Sequence, residues 1–275
     1  MISEKIFEIH GPKPGPTLAI FAGVHGNELA GVLALQELLP QLRLTKGTVY
    51  AAYANPPAIA AKVRMINKNL NRCFIAGNEG TTPEDVRARE LMAVLDKSDA
   101  LLDLHMFYDA HGQPFVICED EAVGLAQTFD VDIISTNWTR TEPGGSDGYM
   151  HLAGKIGICV ECGPISQAEV YKEFAKRTVY QFLQHFGMTD EPVALSTRSK
   201  RIVRAQRAVY KTSADFVLGD GFRNFDALDP GQIIARDGNK TYTAEAGDCI
   251  IFPHYGARIG EEAYIIGTET AGSAG

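Results

Sequence analysis

Up to about Gly187, short, mostly apolar runs alternate with segments of helical spacing. TLAIFAG (residues 17–23), TVYAAYAN (48–55), ALLDLH (100–105), PFVICE (114–119), VDIIST (131–136) and IGICVEC (156–162) have the length and the apolar character of strands. Between them, ELAGVLALQELL, PEDVRARELMAVLD and SQAEVYKEFAKRTVYQFLQHF place apolar residues at helical intervals. Thr82 and Pro83 are a cap and a first helical position for the second of these, and Ser166 with Glu169 forms a capping-box pattern before the third. Strands alternating with helices predict an α/β layered domain with a largely parallel or mixed sheet.

Beyond Gly187 the pattern changes. MTDEPVALSTRS is polar and loop-like, and from about Arg201 short alternating runs are punctuated by GDG, DPG, RDG and AGD. Turn signals at such close spacing predict a small all-β unit. The division is placed at 1–194 and 195–275, with a frayed tail over ETAGSAG.

Composition narrows the class of protein. The chain has 275 residues, 45% hydrophobic and 22% charged, within the normal range of a soluble globular protein. Its net charge of −8 argues against a nucleic-acid or anionic-membrane partner. No apolar run reaches the roughly 18 residues of a membrane span. The N-terminus lacks the basic and apolar blocks of a signal peptide. Five scattered cysteines, an odd number, fit a reduced, cytoplasmic protein.

The chemistry gathers at the ends of apolar runs. GVHGNE closes the first, with His25 and Glu28 three residues apart. If the turn already winds helically the two share a face, and open α/β sheets bind ligands beyond the carboxyl ends of their strands. An imidazole and a carboxylate converging there suit Zn²⁺. The turn lacks the glycine pattern of a phosphate cradle. A catalytic zinc needs three protein ligands, and His105, which also ends an apolar run, is the third candidate, with Asp103 as its supporting carboxylate. Taken singly, each histidine reads as well as an ordinary residue near the core surface; the shared strand-end context favours ligands. Glu161 ends a third run and is the candidate base. Cys159 and Cys162 are an odd number of positions apart in a strand, point to opposite faces, and read as core residues rather than a chelating pair. VRMINKNLNRCF crowds Arg64, Lys68 and Arg72 among Asn67, Asn69 and Asn71, a set suited to a carboxylate if it is not simply a solvated basic loop.

GVHGNE, the arginine and NLNRCF, DLH, VECGP and FPHYGARIGEEAY occur in this order over nearly the whole chain. Together they resemble the succinylglutamate desuccinylase/aspartoacylase family of the zinc carboxypeptidase clan. The resemblance implies a zinc-carboxypeptidase-like mixed sheet flanked by helices, followed by a small all-β C-terminal domain. It implies one Zn²⁺ per chain held by His25, Glu28 and His105, with Glu161 as general base and acid and Arg64 polarising the scissile carbonyl. Asn71 and Arg72 would bind a substrate carboxylate, and Tyr264 would reach the pocket from the C-terminal domain. Two positions depart from the family pattern. His151 stands where a substrate-binding arginine is expected, leaving Arg140 or Tyr149 to replace it, and Asn69 stands where an acidic residue often opens the asparagine–arginine motif. The expected activity is zinc-dependent hydrolysis of the amide of a small N-acyl amino acid or related carboxylate. A metallopeptidase acting on short peptides is the alternative, and a non-catalytic metal- or ligand-binding protein a more distant one. The partner is a small-molecule carboxylate, and a homo-oligomer is left open.

Overall fold

The computed structural model describes residues 4–270. The residues of the predicted frayed tail from 271 onward lie outside the described part. Fourteen strands follow in chain order: β1 (Ile6–His10), β2 (Thr17–Ala22), β3 (Thr48–Tyr53), β4 (Ala100–Phe107), β5 (Phe115–Cys118), β6 (Ile133–Thr136), β7 (Ile156–Pro164), β8 (Arg201–Tyr210), β9 (Phe216–Leu218), β10 (Asp226–Ala227), β11 (Ile233–Asp237), β12 (Lys240–Thr243), β13 (Asp248–Ile251) and β14 (Glu262–Glu269). The α-helices are α1 (Leu29–Leu38), α2 (Pro56–Ala61), α3 (Pro83–Leu95), α4 (Val123–Ala126), α5 (Trp138–Thr141), α6 (Ser146–Leu152) and α7 (Ala168–His185).

The predicted α/β architecture is present. Eleven strands form one mixed sheet in the order β1-β3-β2-β4-β7-β5-β6-β8-β14-β13-β10. Its central strands β3, β2, β4 and β7 run parallel. Period-two alternation divides each central strand between two cores. Leu18, Ile20, Leu102, Leu104, Ile158 and Val160 face the layer that holds α1 and α7. Ala19, Phe21 and Leu101 face the opposite layer, with Leu91 of α3 and Met150 of α6. Cys162 and Cys159 fall into different clusters, as their odd spacing requires.

The C-terminal region is all-β, but it is not detached from the main sheet. Strand β8 pairs parallel to β6, so the antiparallel strands β8, β14, β13 and β10 prolong the central sheet. That pairing covers an edge that would otherwise expose unpaired backbone groups. Strands β12, β11 and β9 form a separate three-stranded sheet. A second apolar seam, with Phe107, Phe115, Trp138, Val203, Phe225 and Ile265, fills the junction.

Two helix starts show how local signals fare. Thr82 accepts from the Asp85 amide while the Asp85 carboxylate accepts from the Thr82 amide, and Pro83 occupies the first turn of α3. The Ser166–Glu169 box does not form. Residues Ile165–Gln167 wind as a 3₁₀ turn, and α7 begins at Ala168 with no side-chain cap. The tighter turn moves the helix start beyond the reach of the Ser166 hydroxyl.

Candidate metal centre and active site

The carboxyl ends of β2, β4 and β7 lie side by side, and the turn after β2 brings GVHGNE over them. Gly26 makes that turn feasible. A Cβ there would lie 2.0 Å from the Ala58 carbonyl carbon, so any side chain would collide with the backbone at α2. The turn is also tied down by the Gly26 amide, which donates to the Arg64 carbonyl. Glu28 is the residue before α1 and turns inward.

His25, Glu28 and His105 are all buried and converge, their ligand atoms within 4.8 Å of one another. His25 Nδ1 is 2.8 Å from Glu28 Oε1, and His105 Nδ1 is 3.0 Å from Glu28 Oε2. Each imidazole turns its other nitrogen to an oxygen: His25 Nε2 lies 3.0 Å from Asn69 Oδ1, and His105 Nε2 lies 3.3 Å from Asp103 Oδ2. Two Nδ1 atoms and a carboxylate facing one point, with His25 backed by the Asn69 oxygen and His105 Nε2 near the Asp103 carboxylate without a hydrogen bond to it, is a donor set that fits Zn²⁺. The Asn69 that departs from the family pattern is thus the partner of a candidate ligand. Its side-chain oxygen also accepts from the Asn71 amide, 2.9 Å away.

Electrostatics distinguish the members of this group. Burial lowers the His25 pKa to about 4, helped by Arg64 and opposed by Glu28. Burial works against the charge of Glu28, but the two imidazoles outweigh it and hold its carboxyl well below the ordinary range. Burial also opposes a charge on His105, which Asp103 and Glu28 nevertheless raise well above its usual value. Glu161 behaves in the opposite way to Glu28. Burial, then the Glu28 charge, pushes it up to about 8, against the pull of His105 and Arg64. Its Oε2 is buried without a hydrogen-bond partner among the described residues. A buried carboxyl with a raised pKa, aimed at a cluster of metal-type donors, is suited to exchanging a proton.

The remaining predicted residues divide. Arg64 joins the group, its Nη1 3.3 Å from Glu28 Oε1. Asn71 lies on the 3₁₀ turn Leu70–Arg72, its amide donating to Asn69 Oδ1 and its own Oδ1 accepting from the Ser146 amide at 3.3 Å. Lys68 is tied down, donating to Asp85 Oδ1 at 2.8 Å. With Glu84 Oε1, which accepts from the Ile66 and Asn67 amides, this pins the basic loop to the start of α3. Arg72 donates to Glu142, an acid that no local pattern marks. Tyr264, expected at the pocket, is instead 1% exposed in the C-terminal β core. The register of β14 on β8 shifts between Glu262 and Tyr264, so that Glu262 opposes Tyr210 while Tyr264 opposes Val209. The extra residue turns the tyrosine to the apolar face. The arginine substitutes are not gathered here. His151 pairs with Glu121, Tyr149 donates to Asp96 and Arg140 is exposed.

Sequence reading also missed Asp147, a further acid near the candidate ligands. Its neighbour Ser146 donates to the expected Asp103 at Oδ2, and burial raises Asp147 to about 6. Only the packing of α6 against β4 and β7 reveals it.

Comparison with known proteins agrees with this geometry. Residues 14–186 match the family model of the succinylglutamate desuccinylase/aspartoacylase catalytic domain, and residues 199–270 match the AstE/AspA barrel-sandwich hybrid domain. The chain is similar to a succinylglutamate desuccinylase of Shewanella sp. (strain MR-7), 24% identical over 91% of this chain and 82% of that protein. Among solved structures it resembles the succinylglutamate desuccinylase of Vibrio cholerae, at a TM-score of 0.78 and 19% identity, covering 96% of this chain and 85% of that one. It also resembles a product-bound ectoine utilization protein of Ruegeria pomeroyi, at 0.72 and 20%, covering 94% and 87%.

Proposed function

The chain belongs to the succinylglutamate desuccinylase/aspartoacylase family, and from that premise we propose that it is a zinc-dependent hydrolase cleaving the amide of a small N-acyl amino acid or related carboxylate. The observation that carries this reading is Glu161: a buried carboxyl, one oxygen unpartnered, beside His105 and within the field of Glu28. A binding protein has no need of such a group, whereas hydrolysis needs a base.

His25, Glu28 and His105 would hold one Zn²⁺ per chain. When bound, the ion supplies Lewis acidity and favours ionisation of water near neutral pH. Glu161 accepts the proton of the attacking water and later returns it to the leaving nitrogen. The Arg64 guanidinium stabilises the oxyanion that develops on the scissile carbonyl. Asn71 and Arg72 orient a substrate carboxylate. The C-terminal unit, which brings Tyr210 and Glu262 to the neighbourhood of Arg72, would restrict the cleft to small substrates and so favour deacylation over peptide trimming.

All five cysteines are buried and unpaired, which supports a reducing, cytoplasmic setting. Among the described residues no helix is long and apolar enough to cross a membrane. The test is turnover of zinc-loaded protein on a panel of N-acyl amino acids and short peptides. Hydrolysis of the acyl amino acids supports the proposal; hydrolysis of peptides alone replaces it with the peptidase reading, and turnover of neither rejects it.

A further inference from the structure

Glu142 lies between α5 and α6 and is 6% exposed. It is far in sequence from the asparagine–arginine motif, yet it holds the motif's arginine. Arg72 Nη2 donates to Glu142 Oε2, and the Tyr210 hydroxyl donates to Glu142 Oε1. Arg72 Nη1 donates to the Asn71 carbonyl at 2.7 Å. The guanidinium that would grip a substrate carboxylate is therefore already engaged by a carboxylate of the chain itself. Glu262, opposite Tyr210 in the β8–β14 pairing, adds a second carboxyl to the same region. Burial raises its pKa against the attraction of Arg72 and Arg64.

We propose that Glu142 is a specificity-determining residue, an internal stand-in for the substrate carboxylate that an incoming carboxylate must displace from Arg72. The inference rests on the reading of this site as one for carboxylate substrates. Exchange of one carboxylate for another on the same guanidinium yields only the difference between two similar ion pairs. Glu142 thus weakens carboxylate binding and favours substrates that reach both Arg72 and a second anchor. The Tyr210 hydroxyl keeps Glu142 on Arg72, so the C-terminal strands contribute to the selection although Tyr264 does not.

The experiment compares wild type, Glu142→Gln and Tyr210→Phe in two assays. Calorimetry gives the affinity for succinate, a probe carboxylate. Steady-state kinetics compares an N-acyl amino acid with its carboxamide. Glu142→Gln tightens succinate about tenfold to a hundredfold, the worth of one charge-assisted hydrogen bond. It lowers KM for the acid with little effect on kcat and leaves KM for the amide in place. Tyr210→Phe shifts both in the same direction by less. Weaker succinate binding, or an equal loss on acid and amide, would mean that Glu142 merely supports Arg72 and overturns the proposal. If Glu142→Gln does not fold, unchanged or weaker succinate binding by Tyr210→Phe overturns it. If neither substrate is turned over, the hydrolase reading fails while the calorimetry still decides the role of Glu142.

Discussion

His105 and Glu161 stand opposite each other in the parallel pairing of β4 with β7. Both are buried, and both project to the sheet face away from α1 and α7. One strand pair thereby delivers a candidate metal ligand and a candidate base to the same place, with a rigid backbone beneath both.

Elemental analysis of the purified protein is expected to give about one zinc per chain, the content of a three-ligand catalytic site. His105→Ala removes one of the converging Nδ1 atoms and is expected to lose the ion. Full zinc content in that variant would remove His105 from the ligand set.

Glu161→Gln retains shape and removes the base. Zinc content should stay at the wild-type level while kcat falls by roughly 10²–10⁴, the range of general acid–base catalysis. Wild-type turnover in this variant would reject the mechanism whatever the substrate.

Gly26→Ala tests the turn rather than the chemistry. The new methyl meets the Ala58 backbone, and that contact cannot be relieved by a side-chain rotation. His25 should be carried away from Glu28, lowering zinc affinity by about tenfold or more, comparable with the loss of an outer-shell partner. Competition with a chromophoric chelator measures it, and an unchanged affinity would show that the turn has slack.

Asp85→Asn addresses the loop that carries Asn69, Asn71 and Arg72. The hydrogen bond from Lys68, then that from Thr82, holds the Asp85 carboxyl well below its usual range despite burial. A depressed folded pKa stabilises above the unfolded value of about 3.9, and that contribution is lost as pH falls through the folded value. The variant should therefore lose about 1–3 kcal/mol at pH 7, and the gap to wild type should narrow below about pH 4. Urea unfolding at both pH values checks it; a constant gap would assign the loss to packing instead of charge.

The sequence by itself determined the central strands, the cap of α3 and the placement of His25, Glu28, His105 and Glu161 toward the carboxyl ends of those strands, although β4 and β7 run on past His105 and Glu161 to Phe107 and Pro164. Periodicity and capping are local, so they survive into the fold, and parallel strands must bring their carboxyl ends to one edge. Tertiary structure alone decided what those residues meet. Asn69 reaches His25 across 44 positions, and Glu142 reaches Arg72 across 70. Such pairs depend on how separate elements pack, which no local pattern records. Tyr264 makes the point most sharply. A one-residue shift in the pairing of β14 with β8 reverses the face on which a side chain emerges, because strand alternation has a period of two. The motif placed a tyrosine near the cleft; the shifted register put it in the core and left Tyr210 and Glu262 opposed beside Arg72.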